Sequence, residues 1–172
     1  MFDKFFPDRY VASTYVIDFE GLYKEGVRGL IFDIDNTLVP HGAPADERAR
    51  ALFKRLKSIG FRCCLISNNQ KPRVEMFNKD IQVDYVYNAH KPSIRNYLKA
   101  MEIMGTDRDS TVFIGDQLFT DIWGAKRAGI RNILVKPIHP KEEIQIVLKR
   151  YLEKIVLHFY KKSLQCEKKV EK

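Results

Sequence analysis

The sequence predicts an α/β fold, a doubly wound, Rossmann-like parallel sheet with helices on both faces. Short runs of branched and aromatic residues are apolar almost throughout, and amphipathic segments lie between them. Continuous apolar character is typical of parallel strands that are covered on both sides. Alternation of strand and helix then gives right-handed crossovers. The predicted strands are residues 29–35, 61–69, 83–88, 111–116 and 131–135.

The connecting segments carry the spacing and the end signals of helices. Residues 43–60 place apolar side chains from Ala49 to Ile59 at intervals of three or four, and Gly60 follows as a stop. The segments after the first and second strands have room for one helix each, which predicts a capless domain with an open site. Further helices are predicted at residues 71–80, 91–105 and 119–129.

Length and composition favour one compact domain. The 172 residues are 45% hydrophobic, so we expect a single domain over 1–172 with its core at about 27–137. No apolar run approaches the roughly 20 residues that cross a bilayer, and the N-terminus lacks the order of a secretory signal. Three cysteines offer neither a disulfide framework nor a paired metal knuckle. These features predict a cytoplasmic protein.

The net charge of +8 favours anionic partners such as phosphoesters, nucleic acid or acidic lipid. Charge of this kind concerns association and solubility rather than fold. We find no DNA-binding motif, and the sequence leaves the oligomeric state open.

Polar side chains suited to phosphoryl chemistry stand where the predicted strands end. They are Asp33, Asp35, Ser67, Asn68, His90, Lys91, Asp116 and Asp121. The carboxyl ends of parallel strands meet at one edge of a sheet, so we expect these side chains to lie close together. Several carboxylates in one place repel each other unless a cation neutralises them, and hard oxygen ligands suit Mg²⁺. The sequence therefore predicts a magnesium site at this edge.

Asp33 and Asp35 could divide the chemistry between them, because residues two apart in an extended strand point to the same side. A carboxylate is a competent nucleophile towards phosphorus and would form an aspartyl-phosphate, while the second carboxylate handles protons. The metal, Lys91 and the Ser67 hydroxyl would neutralise the transferring phosphoryl group. We expect His90 to position Lys91 rather than to carry a proton.

Each of these residues also has a plainer interpretation. Carboxylates after strands often form turns or helix caps, and the Ser67 hydroxyl could do the same. Lys91 could be a surface lysine before a helix that begins at a proline. Asp121 could lie on a solvated helix face.

Four short segments taken together carry a family resemblance. They are "DIDNT" (33–37), "ISN" (66–68), "HKP" (90–92) and "GDQLFTD" (115–121). They resemble the four ordered motifs of the haloacid dehalogenase superfamily of phosphotransferases, over about residues 1–137. Four motifs in the right order are far more specific than any one of them. The resemblance implies a Mg²⁺-dependent phosphomonoester hydrolase.

The resemblance implies roles in catalysis and phosphate binding. Asp33 would be the nucleophile and Asp35 the general acid and base. Ser67 would donate a hydrogen bond to the phosphate, and Lys91 would steady the phosphoryl group and the nucleophile. We add Asn68 as a residue that helps to place the phosphoryl oxygens.

The resemblance also implies a set of metal ligands. Asp33, Asp116 and the backbone carbonyl of Asp35 would hold the metal, and Asp121 would lie in its coordination shell or next to it. An aspartate at position 35 resembles the phosphatase members and differs from the dehalogenases.

The amino-terminal stretch narrows the resemblance further. "FPDRYVASTYVIDFEGLYKEGVRGLIFDIDNTLVP" is similar to the YqeG-like branch of subfamily IIIA. That branch is related to the mitochondrial phosphatidylglycerophosphate phosphatases of fungi and plants, which suggests a lipid phosphate as one candidate substrate.

Two other functions fit the same residues. Receiver domains also place acidic residues, a hydroxyl and a lysine on a parallel sheet, so a phospho-accepting regulatory domain is one alternative. The other is a ribonucleoprotein-assembly protein with a vestigial phosphatase site, in keeping with the basic charge.

Residues 141–162 predict a basic amphipathic helix. From 141 to 172 there are nine Lys or Arg and five Glu, which is half of the net charge. Such a helix can lie on an anionic membrane surface, cover its own core or pair with a partner, and packing is the commoner outcome. The apolar positions in helical register are Ile144, Leu148, Tyr151, Leu152, Ile155 and Phe159.

Overall fold

The computed structural model of the protein describes residues 3–139 and 144–170. The strands are β1 (Arg9–Val11), β2 (Gly29–Phe32), β3 (Arg62–Ile66), β4 (Asp84–Val86), β5 (Thr111–Gly115) and β6 (Arg131–Val135). The α-helices are α1 (Phe19–Lys24), α2 (Glu47–Ile59), α3 (Lys71–Asn78), α4 (Arg95–Met104), α5 (Trp123–Ala128) and α6 (Ile144–Val170). All strand pairs are parallel, in the order β1-β6-β5-β2-β3-β4.

Both faces of the sheet are covered by helices. Leu30 and Phe32 of β2 join a buried cluster with α1, α2 and α3, whereas Ile31 between them joins a second cluster with α4 and α5. This split follows from strand geometry, in which successive side chains point to opposite faces. The predicted doubly wound α/β fold is confirmed. The segments after β2 and β3 hold one helix each, α2 and α3.

The sheet has a sixth strand that the sequence analysis missed. β1 lies at the sheet edge, where Tyr10 pairs with Leu134 of β6. Asp8, just before β1, reinforces the pairing of β1 with β6, because its carboxylate accepts a hydrogen bond of 2.8 Å from the Asn132 side chain. Three residues at an edge give no continuous apolar run, so the strand pattern does not reveal them.

The turn after β2 differs from the predicted extended strand. β2 ends at Phe32, and Asp35 forms an isolated bridge with Val39 instead of continuing the strand. Asn36 adopts a left-handed φ of 61°, which reverses the chain. The expectation that Asp33 and Asp35 share one side of an extended strand is therefore not met.

Both ends of α2 have features that stabilise helix termini, and the end at Gly60 is the predicted one. Asp46 caps α2 by accepting a hydrogen bond from the backbone N–H of Ala49, and Gly60 ends the helix with φ of 111°. The last predicted core helix divides in two, because Leu118–Ile122 forms a π-helical turn before α5 begins.

The C-terminal helix α6 packs through a different face from the predicted one. Val156 and Tyr160 are buried, whereas all four predicted apolar positions with described side chains, Tyr151, Leu152, Ile155 and Phe159, are exposed. The cause is polar anchoring: Glu153 accepts a hydrogen bond of 2.8 Å from the backbone N–H of Leu118, which sets the rotation of the helix.

Part of the C-terminal prediction lies outside the described residues. The predicted start of the C-terminal helix at 141–143 is not among the described residues, and neither are the side chains of Ile144 and Leu148. Over the ranges that the structure covers, no helix combines the length and the apolar character needed to cross a bilayer.

Candidate active site

The predicted residues gather at the carboxyl ends of the central strands. Asp33 follows β2, Ser67 follows β3, and Asp116 follows β5. Asp33, Ser67, Lys91, Asp116 and Asp121 are all buried, whereas Asn68 and His90 are exposed. The sheet topology explains the meeting point, since β2 lies between β5 and β3.

Lys91 is the centre of the buried charge network. Its Nζ donates to Asp33 Oδ1 at 2.5 Å and to Asp121 Oδ1 at 2.6 Å, and the side chain is 4% exposed. Burial alone would lower the pKa of Lys91, but the carboxylates of Asp121 and Asp33 outweigh it and raise the pKa. The ammonium group therefore stays charged beside both carboxylates.

Two carboxylates of the site lie in surroundings that disfavour their charged form. Burial raises the pKa of Asp33 to about 7, with Lys91 opposing the shift and Asp121 and Asp35 adding to it. Burial also raises the pKa of Asp116 well above its usual range, helped by Asp121 and Asp33 and opposed by Arg150. The two carboxylates thus lack sufficient positive charge around them.

The acidic cluster has the composition of a site for a hard divalent cation. Oxygens of Asp33, Asp116 and Asp121 lie within 4.8 Å of one another. The ion pairs that Lys and Arg make at the site join five carboxylates to three basic side chains, so the acidic groups outnumber the basic ones by two. Carboxylate oxygens and an uncompensated charge of this size fit Mg²⁺. The five carboxylates are Asp33, Asp35, Asp116, Asp121 and Glu153, and the three cations are Arg73, Lys91 and Arg150.

Asp121 has both of its oxygens engaged by protein donors. Oδ1 accepts from Lys91, and Oδ2 accepts from the backbone N–H groups of Asp116 and Gln117 at 3.1 Å each. Its carboxylate therefore fixes the loop that carries Asp116 as well as the lysine.

Asp35 belongs to a second group of polar side chains. Oδ1 accepts from Arg73 at 2.7 Å and from the backbone N–H of Gly42 at 2.8 Å, and Oδ2 accepts from Asn69 at 2.7 Å. Arg73 is a residue that the sequence analysis missed. It stands in the first turn of α3, and no motif marks it.

Ser67 and Asn68 have different surroundings. The Ser67 hydroxyl is buried and accepts a hydrogen bond of 3.1 Å from the backbone N–H of Asn69. Asn68 Oδ1 accepts from the backbone N–H of Lys91 at 2.7 Å. The Asn68 side chain is thus engaged with the backbone that presents the lysine.

Two further residues at the site were not assigned from the sequence. The Thr37 hydroxyl lies 3.1 Å from Asp116 Oδ1 and 3.4 Å from Asp33 Oδ2, so it bridges the two carboxylates. Arg150 of α6 pairs with the Asp116 carboxylate and donates to the Asp116 carbonyl at 2.6 Å. Thr37 lies inside the "DIDNT" segment, where its residue type predicts a role in shaping the turn, whereas Arg150 has no local signal.

Known proteins are similar to this chain in sequence. A family model described as haloacid dehalogenase-like hydrolase matches residues 41–129. A Bacillus subtilis protein named probable phosphatase YqeG is 34% identical over 165 residues, which is 95% of this chain and 96% of that protein. The chain belongs to the haloacid dehalogenase-like hydrolase family. The family predicted from the four motifs is therefore confirmed.

One more distant relative and one solved structure are also similar to this chain. Phosphatidylglycerophosphate phosphatase 1 of Arabidopsis thaliana is 26% identical over 92% of this chain, which spans about half (48%) of that protein. The cobalt-bound deoxy-D-mannose-octulosonate 8-phosphate phosphatase of Haemophilus influenzae has the same fold, with a TM-score of 0.51 and 15% identity over 64% of this chain and 69% of that one. The predicted enzyme class, a phosphatase of the haloacid dehalogenase family, is confirmed.

Gly115 lets Asp121 approach the end of β5, and this gives a first test of the site. A Cβ at position 115 would lie 2.5 Å from Asp121 Oδ2 and 2.7 Å from its Cγ. In Gly115→Ala, Asp121 must therefore shift, which disturbs its contact with Lys91. We expect a loss of about 1–3 kcal/mol in the free energy of unfolding from overpacking and a fall of about 10- to 100-fold in kcat. Urea unfolding and steady-state kinetics measure the two effects.

Gly26→Ala is the matched control for Gly115→Ala. Position 26 has φ of 98° and nothing within 4 Å of an added Cβ. It precedes β2, at the sheet edge away from the site, so the change strains the backbone without touching the carboxylates. Equal kcat values for the two variants would contradict the role given to Gly115.

Proposed function

We propose that this protein is a Mg²⁺-dependent phosphomonoester hydrolase that works through an aspartyl-phosphate on Asp33. The observation that carries the proposal is the buried contact of 2.5 Å between Lys91 Nζ and Asp33 Oδ1, with the Asp116 carboxylate in the same cluster. A nucleophilic carboxylate needs a cation beside it to remain ionised when it is buried, and Lys91 supplies one.

In the first step, an Asp33 oxygen attacks phosphorus and the bond from phosphorus to the ester oxygen breaks. Asp35, which enters this step protonated, gives its proton to that leaving oxygen. Water then attacks the phosphorus of the aspartyl-phosphate, Asp35 takes the proton back, and inorganic phosphate leaves with Asp33 regenerated. The hydrogen bonds from Arg73 and Asn69 hold the Asp35 side chain in one orientation.

The remaining residues would bind and neutralise the phosphoryl group. The Lys91 ammonium and the Ser67 hydroxyl are proposed to face the phosphoryl oxygens, and Asn68 to hold the lysine backbone in place. Asp33, Asp116 and the Asp35 carbonyl would hold Mg²⁺, which when bound supplies positive charge to the transferring group. Asp121 would act next to the metal through its contact with Lys91.

For the substrate, we propose a lipid phosphate, with phosphatidylglycerophosphate as the first compound to test. Support comes from the name of the Arabidopsis thaliana relative and from a second relative in Chlamydomonas reinhardtii, phosphatidylglycerophosphate phosphatase 1, which is 25% identical over 80% of this chain.

A screen of phosphoesters with and without Mg²⁺ tests this proposal. Phosphatidylglycerophosphate, sugar phosphates, nucleotides and phosphopeptides would be compared by release of inorganic phosphate. We expect turnover that falls at least about 100-fold after chelation and returns with added Mg²⁺, since a metal ion contributes several kcal/mol of charge stabilisation. Equal rates with the chelator present would contradict the metal assignment, and a strong preference for a water-soluble ester would contradict the lipid assignment.

A further inference from the structure

The outward face of α6 carries a continuous apolar stripe. Tyr151, Ile155 and Phe159 follow one another at intervals of four residues, and Leu152 lies beside them. Their exposed fractions are 63%, 50%, 44% and 54% respectively. Isolated exposed apolar residues are ordinary, but four neighbours on one helix face mark an interaction surface.

The opposite face of the same helix is already occupied. Val156 and Tyr160 are buried against the domain, and the Tyr160 ring packs edge-on against Phe6 with centroids 5.3 Å apart. Glu153 and Arg150 add polar anchors to the loop after β5. Rotation of the stripe into the core would break these contacts, so the stripe stays outside.

The charge beside the stripe has a single sign. Lys154, Lys161 and Lys162 are exposed on the same helix. Between residues 150 and 165 the only carboxylate is that of Glu153, which is buried and paired with Arg150. A helix with apolar residues and lysines on its free face, and no exposed acid in that range, is complementary to an anionic lipid surface.

A groove connects this face with the candidate active site. It has a volume of about 380 Å³, and its lining includes Tyr151 and Lys154 from α6, apolar Leu134 and Leu157, and Asp116. Tyr151 of the exposed stripe and the buried Asp116 therefore line the same groove.

We propose that the Tyr151, Leu152, Ile155 and Phe159 stripe, with Lys154, Lys161 and Lys162, docks this protein on an anionic lipid bilayer. A second copy of the chain fits the surface less well. A two-fold interface brings the same patch of both copies together, and this would set the lysines against each other without an exposed carboxylate from residues 150–165 to pair with them. The docking proposal is independent of the catalytic one.

Sedimentation with vesicles tests the proposal. The protein would carry Asp33→Asn, so that lipid turnover plays no part, and the vesicles would be phosphatidylcholine alone or mixed with phosphatidylglycerol. We expect sedimentation with the mixed vesicles only. Leu152→Glu with Ile155→Glu should lower the partition coefficient at least about tenfold. Lys161→Gln with Lys162→Gln should lower it about fivefold per lysine.

Leu98→Glu with Ile103→Glu is the matched control. Both residues are exposed apolar side chains on α4, with 37% and 40% exposure, and the double change adds the same charge. The partition coefficient of this control should equal that of the Asp33→Asn protein without further substitutions. The proposal is overturned by equal partitioning of the two Glu pairs, by no sedimentation with mixed vesicles, or by self-association that Leu152→Glu with Ile155→Glu abolishes.

Discussion

Replacing Asp33 with Asn should abolish turnover, with a fall in kcat on the order of 10⁴-fold or more. The amide that takes the place of the carboxylate is a poor nucleophile, so no covalent intermediate can form. The fold should survive, because Lys91 keeps its 2.6 Å contact with Asp121 and a buried carboxylate is removed rather than added. Phosphate release measures the first expectation, and thermal unfolding measures the second.

Asp84→Asn provides the control for Asp33→Asn. Asp84 is an exposed aspartate at the start of β4, at the sheet edge opposite the site, so the same chemical change there should leave kcat unaltered. A kcat for Asp33→Asn within tenfold of the kcat for Asp84→Asn would contradict the assignment of Asp33 as the nucleophile.

Chemical quenching separates hydrolysis from regulation by phosphorylation. A hydrolase forms the aspartyl-phosphate and breaks it in each cycle, so labelled phosphate should be found on the protein only in a small steady-state fraction that hydroxylamine removes. A phospho-accepting domain would instead hold nearly stoichiometric label and release little phosphate. The presence of Asp35 two residues after the proposed nucleophile favours the first outcome, because a second carboxylate can accept a proton from the attacking water.

The central residues of the site could be predicted because their positions depend on local sequence and one topological rule. Asp33, Ser67 and Asp116 each follow a strand, and parallel strands bring their carboxyl ends to one edge. The rule needs no knowledge of distant contacts. It also tolerates errors at strand ends, which is why the early end of β2 at Phe32 did not displace the predicted site.

Residues that act through long-range contacts could not be predicted in this way. Arg150 reaches Asp116 across 34 positions of the sequence, and Arg73 reaches Asp35 across 38. Neither stands in a motif, and an arginine on an amphipathic helix has many possible partners. Only the packing of α6 and α3 against the sheet selects the partner.

The face of α6 illustrates a further limit of periodicity. The helix offers two apolar sets, one with Tyr151 and Ile155 and the other with Val156 and Tyr160, and both have helical spacing. Hydrophobic spacing alone does not decide which set is buried. The hydrogen bond from the Leu118 N–H to Glu153 decides it, and this bond depends on the tertiary structure.

Replacing Lys91 with Met should destabilise the fold as well as abolish activity. Methionine keeps most of the apolar stem but leaves the buried carboxylates of Asp33 and Asp121 without their shared cation. Removing one partner of a buried ion pair costs about 3–5 kcal/mol, so the free energy of unfolding measured in urea should fall by that amount. Lys99→Met on the exposed side of α4 is the control and should change it little.

A double-mutant cycle shows whether the lost stability of Lys91→Met comes from the carboxylate that it leaves behind. Asp121→Asn removes one negative charge but keeps a side chain of the same size. If Lys91 and Asp121 stabilise each other, the combined loss in Lys91→Met with Asp121→Asn should be smaller than the sum of the two single losses, by about 0.5–3 kcal/mol. Strict additivity would mean that the 2.6 Å contact contributes nothing to folding. The lost stability of Lys91→Met would then come from its other contacts, first among them the buried ion pair with Asp33.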